Sequence, residues 1–306
     1  MSVLPVSGID IELRSGQYHA VVASVGASLR SLSFADRPLI VSYRAEELRP
    51  VYRGAILAPW PNRVIDGRYS FQGNQYQLPL SEPGRGHALH GLVAWQDWDV
   101  VLQEAGRTRL ETVLVPQEGY PYRLSIAVEY SLTPQGLDVM IETTNISDQT
   151  APYGAGSHPY LVAGEGVVDD WELEFEAAQL QLVTPDRLIP TEIVEIAPGS
   201  LFDFASAKSL RGIEIDHAFS GFPADKAPSA TVKDRNGDGV RVSWDAKCPW
   251  VQIHTADLPD PLKSRRGLAI EPMTCPPDAF NSGLDLIELL PGASDQTSWT
   301  ISAVVS

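Results

Sequence analysis

Short runs of alternating apolar and polar residues, most of them ended by glycine or proline, recur along this 306-residue chain. Examples are Arg109 to Val115, Tyr122 to Leu132 and Leu137 to Asn145. A period of two puts successive side chains on opposite faces of an extended backbone, so each run predicts a β-strand. No long stretch keeps the period of an amphipathic helix, and no internal repeat or long linker divides the sequence. The chain therefore predicts an all-β fold, with residues 1–306 forming a single domain.

The charge balance restricts the partners of the protein. Asp and Glu total 39 against 23 Lys and Arg, a net charge of -16, which disfavours nucleic acid and anionic membranes as partners. The first ten residues lack the basic start and apolar segment of an export signal, and no apolar run approaches membrane-spanning length. We therefore expect a cytoplasmic protein in which Cys248 and Cys275 are free thiols, although a disulfide between them also fits the sequence.

Glu271 has an unusual position near the end of a predicted strand. Leu268 and Ile270 alternate with Ala269 and Glu271, which places the carboxylate on the face opposite the two apolar side chains. Pro272 removes a backbone donor and is expected to end the strand. Glu271 is then either a solvated strand-end residue or a proton-transfer group at the lip of a loop.

The segment 54–63 ends an apolar run with two prolines around Trp60, followed by Asn62 and Arg63. The prolines predict a stiff loop, and the amide and guanidinium are strong hydrogen-bond donors. Trp60 would either stack on the ring of a bound ligand or fill the edge of the core. Residues 68–78 then predict a β-hairpin around a Gly73-Asn74 turn.

Two stretches present histidines in unusual surroundings. His87 and His90 lie three residues apart, on opposite faces of a strand, so a metal site would need a third ligand such as His158, and we predict no metal. His158 follows Gly154 and Gly156, which allow the backbone to approach a neighbour closely. Because tyrosines flank this segment and a proline follows the histidine, His158 is expected to line a ligand site.

Further polar side chains lie on predicted strands downstream. Glu214 and Asp216 share one face, which is either solvated or contributes one carboxylate to a pocket; the spacing leaves both open. Gln252 and His254 share a face of a later strand. Residues 234–239 match the start of a calcium loop, but the alternation around them predicts a hairpin turn.

Together these stretches provide carboxylates, imidazoles, an arginine and aromatic rings. No serine stands in a nucleophile-elbow motif, and no phosphate loop or dinucleotide fingerprint occurs, so no cofactor is predicted. Mixed polar and aromatic groups without a cofactor signature suit a neutral polyhydroxylated ligand. A carboxylate combined with an imidazole suits proton transfer at one carbon.

The order of these motifs resembles the aldose 1-epimerase (galactose mutarotase) family. The matching segments are Pro61–Arg63, Gly67–Phe71 with Gly73, Leu89–Gly91, Ser157–Tyr160, Asp216–Phe219, and Glu271 with Pro277–Asp278. The Trp60 loop and the segment Glu271–Thr274 are similar to a bacterial branch that includes sulfoquinovose mutarotase-like proteins. Leu92 stands where many members have glycine, and Ser157 where many have asparagine.

The resemblance implies a large antiparallel β-sandwich, the galactose mutarotase-like supersandwich, with a monosaccharide bound on a concave sheet face. It implies that Glu271 is the general base for the anomeric hydroxyl and His158 the general acid for the ring oxygen. His90 would position the sugar near its ring oxygen, while Arg63 and Asp216 would hold ring hydroxyls. No metal or nucleotide is implied. Glu271 is expected to be ionised, and His158 facing it to be biased toward its charged form.

Several functions remain open at this point. The first is a mutarotase that interconverts the α and β anomers of a free aldose by ring opening and reclosure. The second is a mutarotase for an anionic sugar, sulfoquinovose or a hexose 6-phosphate, with Arg63, Arg85, Arg265 and Arg266 as candidate cations. The third is a non-catalytic sugar-binding protein. In each case a monomer or homodimer is expected. The remaining predicted substrate contacts are Asn62, Trp60, Gln252 and His254.

Overall fold

The computed structural model describes residues 4–306 and consists mainly of antiparallel strands. In chain order the first strands are β1 (Asp10–Ser15), β2 (Tyr18–Ala23), β3 (Ser28–Phe34), β4 (Arg37–Pro38), β5 (Ile56–Leu57), β6 (Arg63–Val64), β7 (Arg68–Phe71), β8 (Asn74–Gln77), β9 (Ala88–Leu89), β10 (Asp99–Gln103), β11 (Arg107–Leu114), β12 (Leu124–Thr133) and β13 (Gly136–Asn145). They continue with β14 (Ala151–Tyr153), β15 (Gly156–Ser157), β16 (Tyr160–Leu161), β17 (Glu172–Phe175), β18 (Gln179–Val183), β19 (Pro190–Glu195), β20 (Lys208–Ser209), β21 (Asp216–Ser220), β22 (Ser229–Lys233), β23 (Gly239–Trp244), β24 (Trp250–His254), β25 (Leu268–Met273), β26 (Ile287–Leu289) and β27 (Ser294–Val304). Short 3₁₀ turns span Pro50–Tyr52, Ile65–Gly67 and Val168–Asp170, and a helix, α1, spans Ala279–Ser282.

Two large sheets form the body of a β-sandwich. A nine-stranded sheet has the order β10-β11-β12-β13-β27-β23-β22-β17-β20, and an eight-stranded sheet contains the path β19-β18-β21-β24-β25-β15-β5, with β16 pairing to β25. Buried apolar residues from both sheets, for example Val128 and Ile253, belong to one continuous hydrophobic core. This arrangement confirms the all-β sandwich predicted above.

The alternation in the sequence explains the nine-stranded sheet. Along β12 and β13 the register runs from Leu124 opposite Asn145 to Thr133 opposite Gly136, without a bulge. Every second side chain of β12, such as Ile126 and Val128, is fully buried. Burying a side chain of this size contributes about 1.5–3 kcal/mol, so a slip of one residue, which would expose the whole set, is strongly disfavoured.

The predicted hairpin is present, with its turn shifted by one residue. β7 and β8 pair with Phe71 opposite Asn74, so Gln72 and Gly73, rather than Gly73 and Asn74, form the turn. Both have a positive φ, 48° and 82°, as a type I′ turn requires. The hairpin turn predicted at residues 234–239 is also present, and it connects β22 to β23. The calcium-loop alternative therefore lacks its helical frame in the described part of the chain.

The predicted end of the strand at Pro272 is wrong. β25 continues to Met273, and Pro272 stands opposite Val251 of β24 in the antiparallel register. A proline removes a single donor but keeps an extended backbone, so neighbouring ladder bonds can hold the strand together. Glu271 consequently lies inside a strand that is buried along its whole length, and not at a solvated strand end.

Strands β21, β24 and β25 divide their residues between two faces. One face carries Val251, Ile253, Leu268 and Ile270 into the hydrophobic core. The other face carries a central group of polar residues, described below. Small apolar clusters flank that group at both ends: Ala218, Trp250 and Met273 at one end, and Tyr160, Ala256 and Ala269 at the other.

Two further expectations concern the cysteines and the membrane. Cys248 and Cys275 are both buried and free, as predicted, and burial raises the pKa of each thiol. Within residues 4–306, no helix has the length and apolar character needed to cross a membrane.

Candidate active site

A cleft of about 430 Å³ lies over the polar face of the eight-stranded sheet. Its lining includes seven of the predicted site residues: Asn62, Arg63, His90, His158, Asp216, His254 and Glu271. These residues come from separate parts of the chain, and the fold brings them together as the family resemblance implied. Gln252 lies beneath the lining, and Trp60 lies elsewhere.

Three adjacent strands supply two carboxylates of the cleft, Asp216 and Glu271, and the side chains between them. The register sets Asp216 opposite His254 and Gln252 opposite Glu271, so the four side chains occupy one face of β21, β24 and β25. The amide Nε2 of Gln252 donates a hydrogen bond of 2.6 Å to Oδ1 of Asp216, and Nδ1 of His254 lies 3.8 Å from Oδ2. Asp216 is thus the pocket carboxylate of the two alternatives left open by the sequence.

Two loops lock together to place His90. The backbone N–H of His90 donates to the carbonyl of Asn62, and the N–H of Asn62 donates back to Nδ1 of the His90 ring. Both residues have a positive φ, and Gly91 follows them so close to Ala58 that a Cβ would collide with its carbonyl oxygen. Because Nδ1 accepts a hydrogen bond, the proton of the neutral ring is assigned to Nε2.

The glycines before His158 serve packing. A Cβ on Gly154 would collide with Sγ of Cys275, and one on Gly156 would crowd Pro61 and Pro272. The sequence correctly indicated a close approach, but the neighbour is protein rather than ligand. The approach fixes His158, whose backbone bonds to Gly54 and Ala55 and whose ring stacks on Tyr160 at 4.9 Å.

Glu271 and His158 are in direct contact. Nε2 of His158 lies 3.4 Å from Oε1 of Glu271, and the side chains are 6% and 2% exposed. Oε2 of Glu271 and Nδ1 of His158 are buried without a hydrogen-bond partner among residues 4–306. An unsatisfied buried polar atom costs about 1–3 kcal/mol, so these atoms are poised to bind a polar group that enters the cleft.

The charge states differ from the sequence-based expectation. Burial, reinforced by the charge of Asp216, raises the pKa of Glu271 well above its usual value. Burial, with the nearby His254, lowers the pKa of His158 to about 3, and burial likewise lowers that of His90. Both shifts favour uncharged forms, so the expectation of an ionised Glu271 facing a charged His158 is wrong.

Asp216 keeps its charge in the same cleft. Burial alone would raise the pKa of its carboxyl group, but His254, Arg63 and the hydrogen bond from Gln252 outweigh burial, and the pKa lies below its usual value. The cleft therefore combines a fixed anion at Asp216 with a neutral, proton-sharing pair at Glu271 and His158. This difference between neighbouring carboxyl groups is typical of sites that transfer protons.

Glu82 is a site residue that the sequence analysis missed. Its carboxylate accepts two hydrogen bonds from Arg63, of 2.8 and 3.0 Å, and one of 2.9 Å from Arg85. It stands in the polar segment Ser81-Glu82-Pro83-Gly84, which is typical of a solvated loop, and no local signal indicates burial. The Arg63 bonds lower the pKa of Glu82 despite burial, which would raise it.

We expect Glu82→Gln to lower the free energy of unfolding by about 1–3 kcal/mol, because it leaves the buried Arg63 guanidinium half paired. Urea denaturation measures the change. Since the pKa of Glu82 is lowered on folding, its contribution is present above the unfolded value near 4.5 and is lost as the pH falls. The difference between wild type and variant should therefore shrink in acid.

Glu129→Gln provides the matched control for this variant. Glu129 pairs with Arg107 at 2.7 Å, but that arginine is half exposed, so the loss should stay below about 1 kcal/mol. Equal losses in the two variants would contradict the role of Glu82 as a buried clamp.

Trp60 is not a substrate contact. Its ring is 2% exposed and packs edge-on against Phe280, with centroids 5.4 Å apart, and near Tyr120 at 6.5 Å. Of the two interpretations left open, filling the edge of the core is therefore correct. Residues 59–61 turn the tryptophan inward while Asn62 and Arg63 face the cleft, and a sequence pattern in a loop does not indicate such directions.

Two of the candidate cations for an anionic sugar are also elsewhere. Arg265 is held by Asp169 and Asp257 at 2.8 and 2.7 Å, and Arg266 is exposed outside the cleft lining. Arg63 and Arg85 remain in the cleft, and both bond to Glu82.

The three central groups have a spacing that could accommodate a metal ion. Single ligand atoms of His90, His158 and Glu271 all lie within 4.8 Å of one another. A metal bound through Nε2 of His90 would require a proton on Nδ1, where the Asn62 N–H already points. Metal-bound histidines almost always donate through their other nitrogen, so this donor set does not fit a resident metal.

Comparisons with known proteins agree with this fold. The aldose 1-epimerase family model matches residues 10–302, and the chain belongs to this family of isomerases. Among its relatives, the uncharacterized protein YihR of Escherichia coli K12 is 38% identical over 287 residues, covering 94% of this chain and 90% of YihR. Rat galactose mutarotase is 29% identical, covering 68% of this chain and 64% of its own. A GalM/aldose epimerase homologue from Caenorhabditis elegans superposes with a TM-score of 0.85 at 21% identity, over 97% and 99% of the two chains.

Proposed function

We propose that this protein is a mutarotase that interconverts the α and β anomers of a free aldose, with Glu271 and His158 as the proton-transfer groups. The observation that carries the proposal is their direct contact, because the anomeric hydroxyl and the ring oxygen are bonded to the same carbon of a pyranose. A neighbouring carboxyl and imidazole can therefore reach both oxygens from one side.

Ring opening needs one proton removed and one delivered. In the reacting form, the proton that Glu271 and His158 share lies on His158, which leaves Glu271 ionised. The anomeric O–H then gives its proton to Glu271 as the C1=O bond forms, the bond from C1 to the ring oxygen breaks, and His158 protonates that oxygen. Rotation about C1–C2 turns the other aldehyde face to the hydroxyl, and closure reverses both transfers. After opening, Glu271 is protonated and His158 is neutral, which is the distribution that burial favours.

The remaining residues of the cleft suit positioning. His90, assigned as a neutral Nε2–H donor, can hydrogen-bond a sugar oxygen without competing for the transferred proton. The charged carboxylate of Asp216 and the guanidinium of Arg63, held by Gln252 and Glu82, suit bonds to ring hydroxyls. Each of these groups is fixed by a second residue, which lowers the cost of ordering the site on binding.

An anionic aldose is the second candidate, supported by Arg85. The side chain of Arg85 is 40% exposed at the cleft, and its buried Nε makes no hydrogen bond to residues 4–306. Against this, Glu82 neutralises one of the two positive charges of Arg63 and Arg85, and Asp216 contributes another negative charge. A neutral sugar therefore fits the cleft better.

Exchange NMR across a panel of aldoses tests the proposal, because it reports anomer interconversion directly. We expect acceleration for at least one neutral hexose, and no loss after dialysis against EDTA. A faster rate with glucose 6-phosphate or sulfoquinovose than with glucose would favour the anionic alternative. Calorimetric binding of a sugar without acceleration for any aldose would indicate a binding protein and contradict the mutarotase.

A further inference from the structure

An aromatic pair lies at the mouth of the cleft, on the side of His90. The ring of Tyr52 packs edge-on against His90 with centroids 4.7 Å apart, and Trp95 lies 5.6 Å beyond Tyr52. Tyr52 lines the cleft, whereas Trp95 is 48% exposed, which is unusual for the largest apolar side chain. None of the roles assigned above uses this pair.

A buried arginine packs against the ring of Trp95 and holds it in position. The guanidinium of Arg49 lies 4.4 Å from the Trp95 ring centre, and Arg49 itself is buried. Its nitrogens donate to the carbonyls of Val25 and Ala94 and to the hydroxyl of Ser28. A cation fixed beneath an indole holds the ring in place, so the exposed part of Trp95 is a preorganised surface.

The backbone at Tyr52 is strained, and neighbouring residues hold it in this conformation. Val51 and Tyr52 have φ values of 42° and 57°, and a β-branched residue such as Val51 rarely adopts this conformation. The turn is secured by the Arg53 N–H bonded to Pro50 and by the Tyr160 hydroxyl bonded to the Val51 carbonyl. Strained residues that a fold holds in place often mark binding sites, and here the strain projects Tyr52 into the cleft.

We propose that Tyr52 and Trp95 form a second carbohydrate subsite, which takes a further sugar ring joined to the reacting aldose through its C6 oxygen. Flat aromatic rings bind the C–H faces of pyranoses, and both rings expose apolar surface beside a polar cleft. This inference rests on the proposed function, because the assignments of Glu271 and His158 set the orientation of the reacting ring.

The C6 linkage follows from the order of groups around the site. Gln252 and Asp216 adjoin Glu271 on neighbouring strands. If Glu271 takes the proton of the anomeric hydroxyl, as proposed, these two residues lie on the C2 side of the reacting ring. In the proposed mechanism His158 lies at the ring oxygen. The ring of His158 is 5.0 Å from the ring of His90, and Tyr52 packs against His90. Beyond the ring oxygen of an aldohexose come C5 and C6, so C6 faces the aromatic pair.

Isomaltose and maltose test the linkage, since both contain two glucose units and differ in joining them through C6 or C4. We expect the wild-type kcat/KM for isomaltose to exceed that for maltose about three- to tenfold, the strength of a stacking contact. Trp95→Ala should reduce the ratio to near one. Trp95→Leu, which keeps apolar bulk over Arg49, should do the same if the alanine variant folds poorly.

Val101→Ala is the matched control, because Val101 is 51% exposed on β10, outside the cleft lining, and should keep the wild-type ratio. Two results would overturn the subsite. One is a wild-type kcat/KM for maltose equal to that for isomaltose, and the other is a wild-type ratio that is unchanged in both Trp95 variants. If no aldose is turned over, the proposed function fails. Calorimetry of isomaltose and maltose on the Glu271→Gln protein then decides the subsite separately, since binding needs no turnover.

Discussion

Glu271→Gln is expected to reduce kcat for anomer interconversion by roughly a hundredfold to ten-thousandfold, because an amide cannot accept the anomeric proton. The amide keeps the shape of the carboxyl group, so sugar binding should persist, and polarimetry or exchange NMR measures the rate. Glu214→Gln, on an exposed carboxylate close to Asp216 in sequence, is the matched control and should retain wild-type rates. A Glu271→Gln protein with a wild-type rate would refute the assignment of Glu271.

The stability of the same variant tests the burial of Glu271 independently of catalysis. Because burial raises the pKa of Glu271 on folding, its contribution to stability is complete below the unfolded pKa near 4.5 and is lost as the pH rises. Glutamine has no such dependence. The variant should therefore gain in Tm relative to wild type as the pH rises above 4.5. A constant difference in Tm would show that Glu271 is already ionised in the folded protein.

His158→Gln should reduce kcat about as much as Glu271→Gln does. Its stability should depend on pH in the opposite direction. The pKa of His158 falls from 6.5 to about 3 on folding, so its contribution is present above 6.5 and is lost as the pH falls. The loss amounts to about 1.4 kcal/mol per pH unit between these values. The variant should thus gain stability relative to wild type in acid, as measured by urea denaturation at several pH values.

His19→Gln, on a partly exposed histidine of β2 outside the cleft lining, is the control for the rate and should follow wild type. The double variant Glu271→Gln/His158→Gln adds a sharper test. If the two groups act as one proton-sharing unit, its rate should match the slower single variant instead of falling by the product of both effects. Losses that multiply would contradict a shared proton.

The fold was largely predictable, because antiparallel strands with one buried face require the alternation that the sequence displays. β12, β13 and β24 follow their patterns closely. Errors arose where local rules compete with tertiary contacts. Pro272 was expected to end β25, yet pairing along the rest of the strand with β24 outweighs one missing donor.

The site was predictable where a strand pattern fixes a direction, and less so in loops. Glu271 was placed opposite Leu268 and Ile270, as the structure has it, because strand geometry determines faces. Trp60 and Glu82 lie in loops, where no period relates sequence to direction. The protonation states were mispredicted because burial depends on the residues above the sheet, and those lie far away in the chain.

The division of β21, β24 and β25 into a core face and a cleft face has a consequence for how substrate preference can diverge. Substitutions at 216, 252 or 254 alter the cleft, while the alternate positions 251 and 253 continue to hold the core. Residues that face the cleft and residues that form the core thus alternate along these strands. Substitutions at the cleft-facing positions should therefore change sugar preference more than they change the hydrophobic core, whereas substitutions at 251 and 253 should do the reverse.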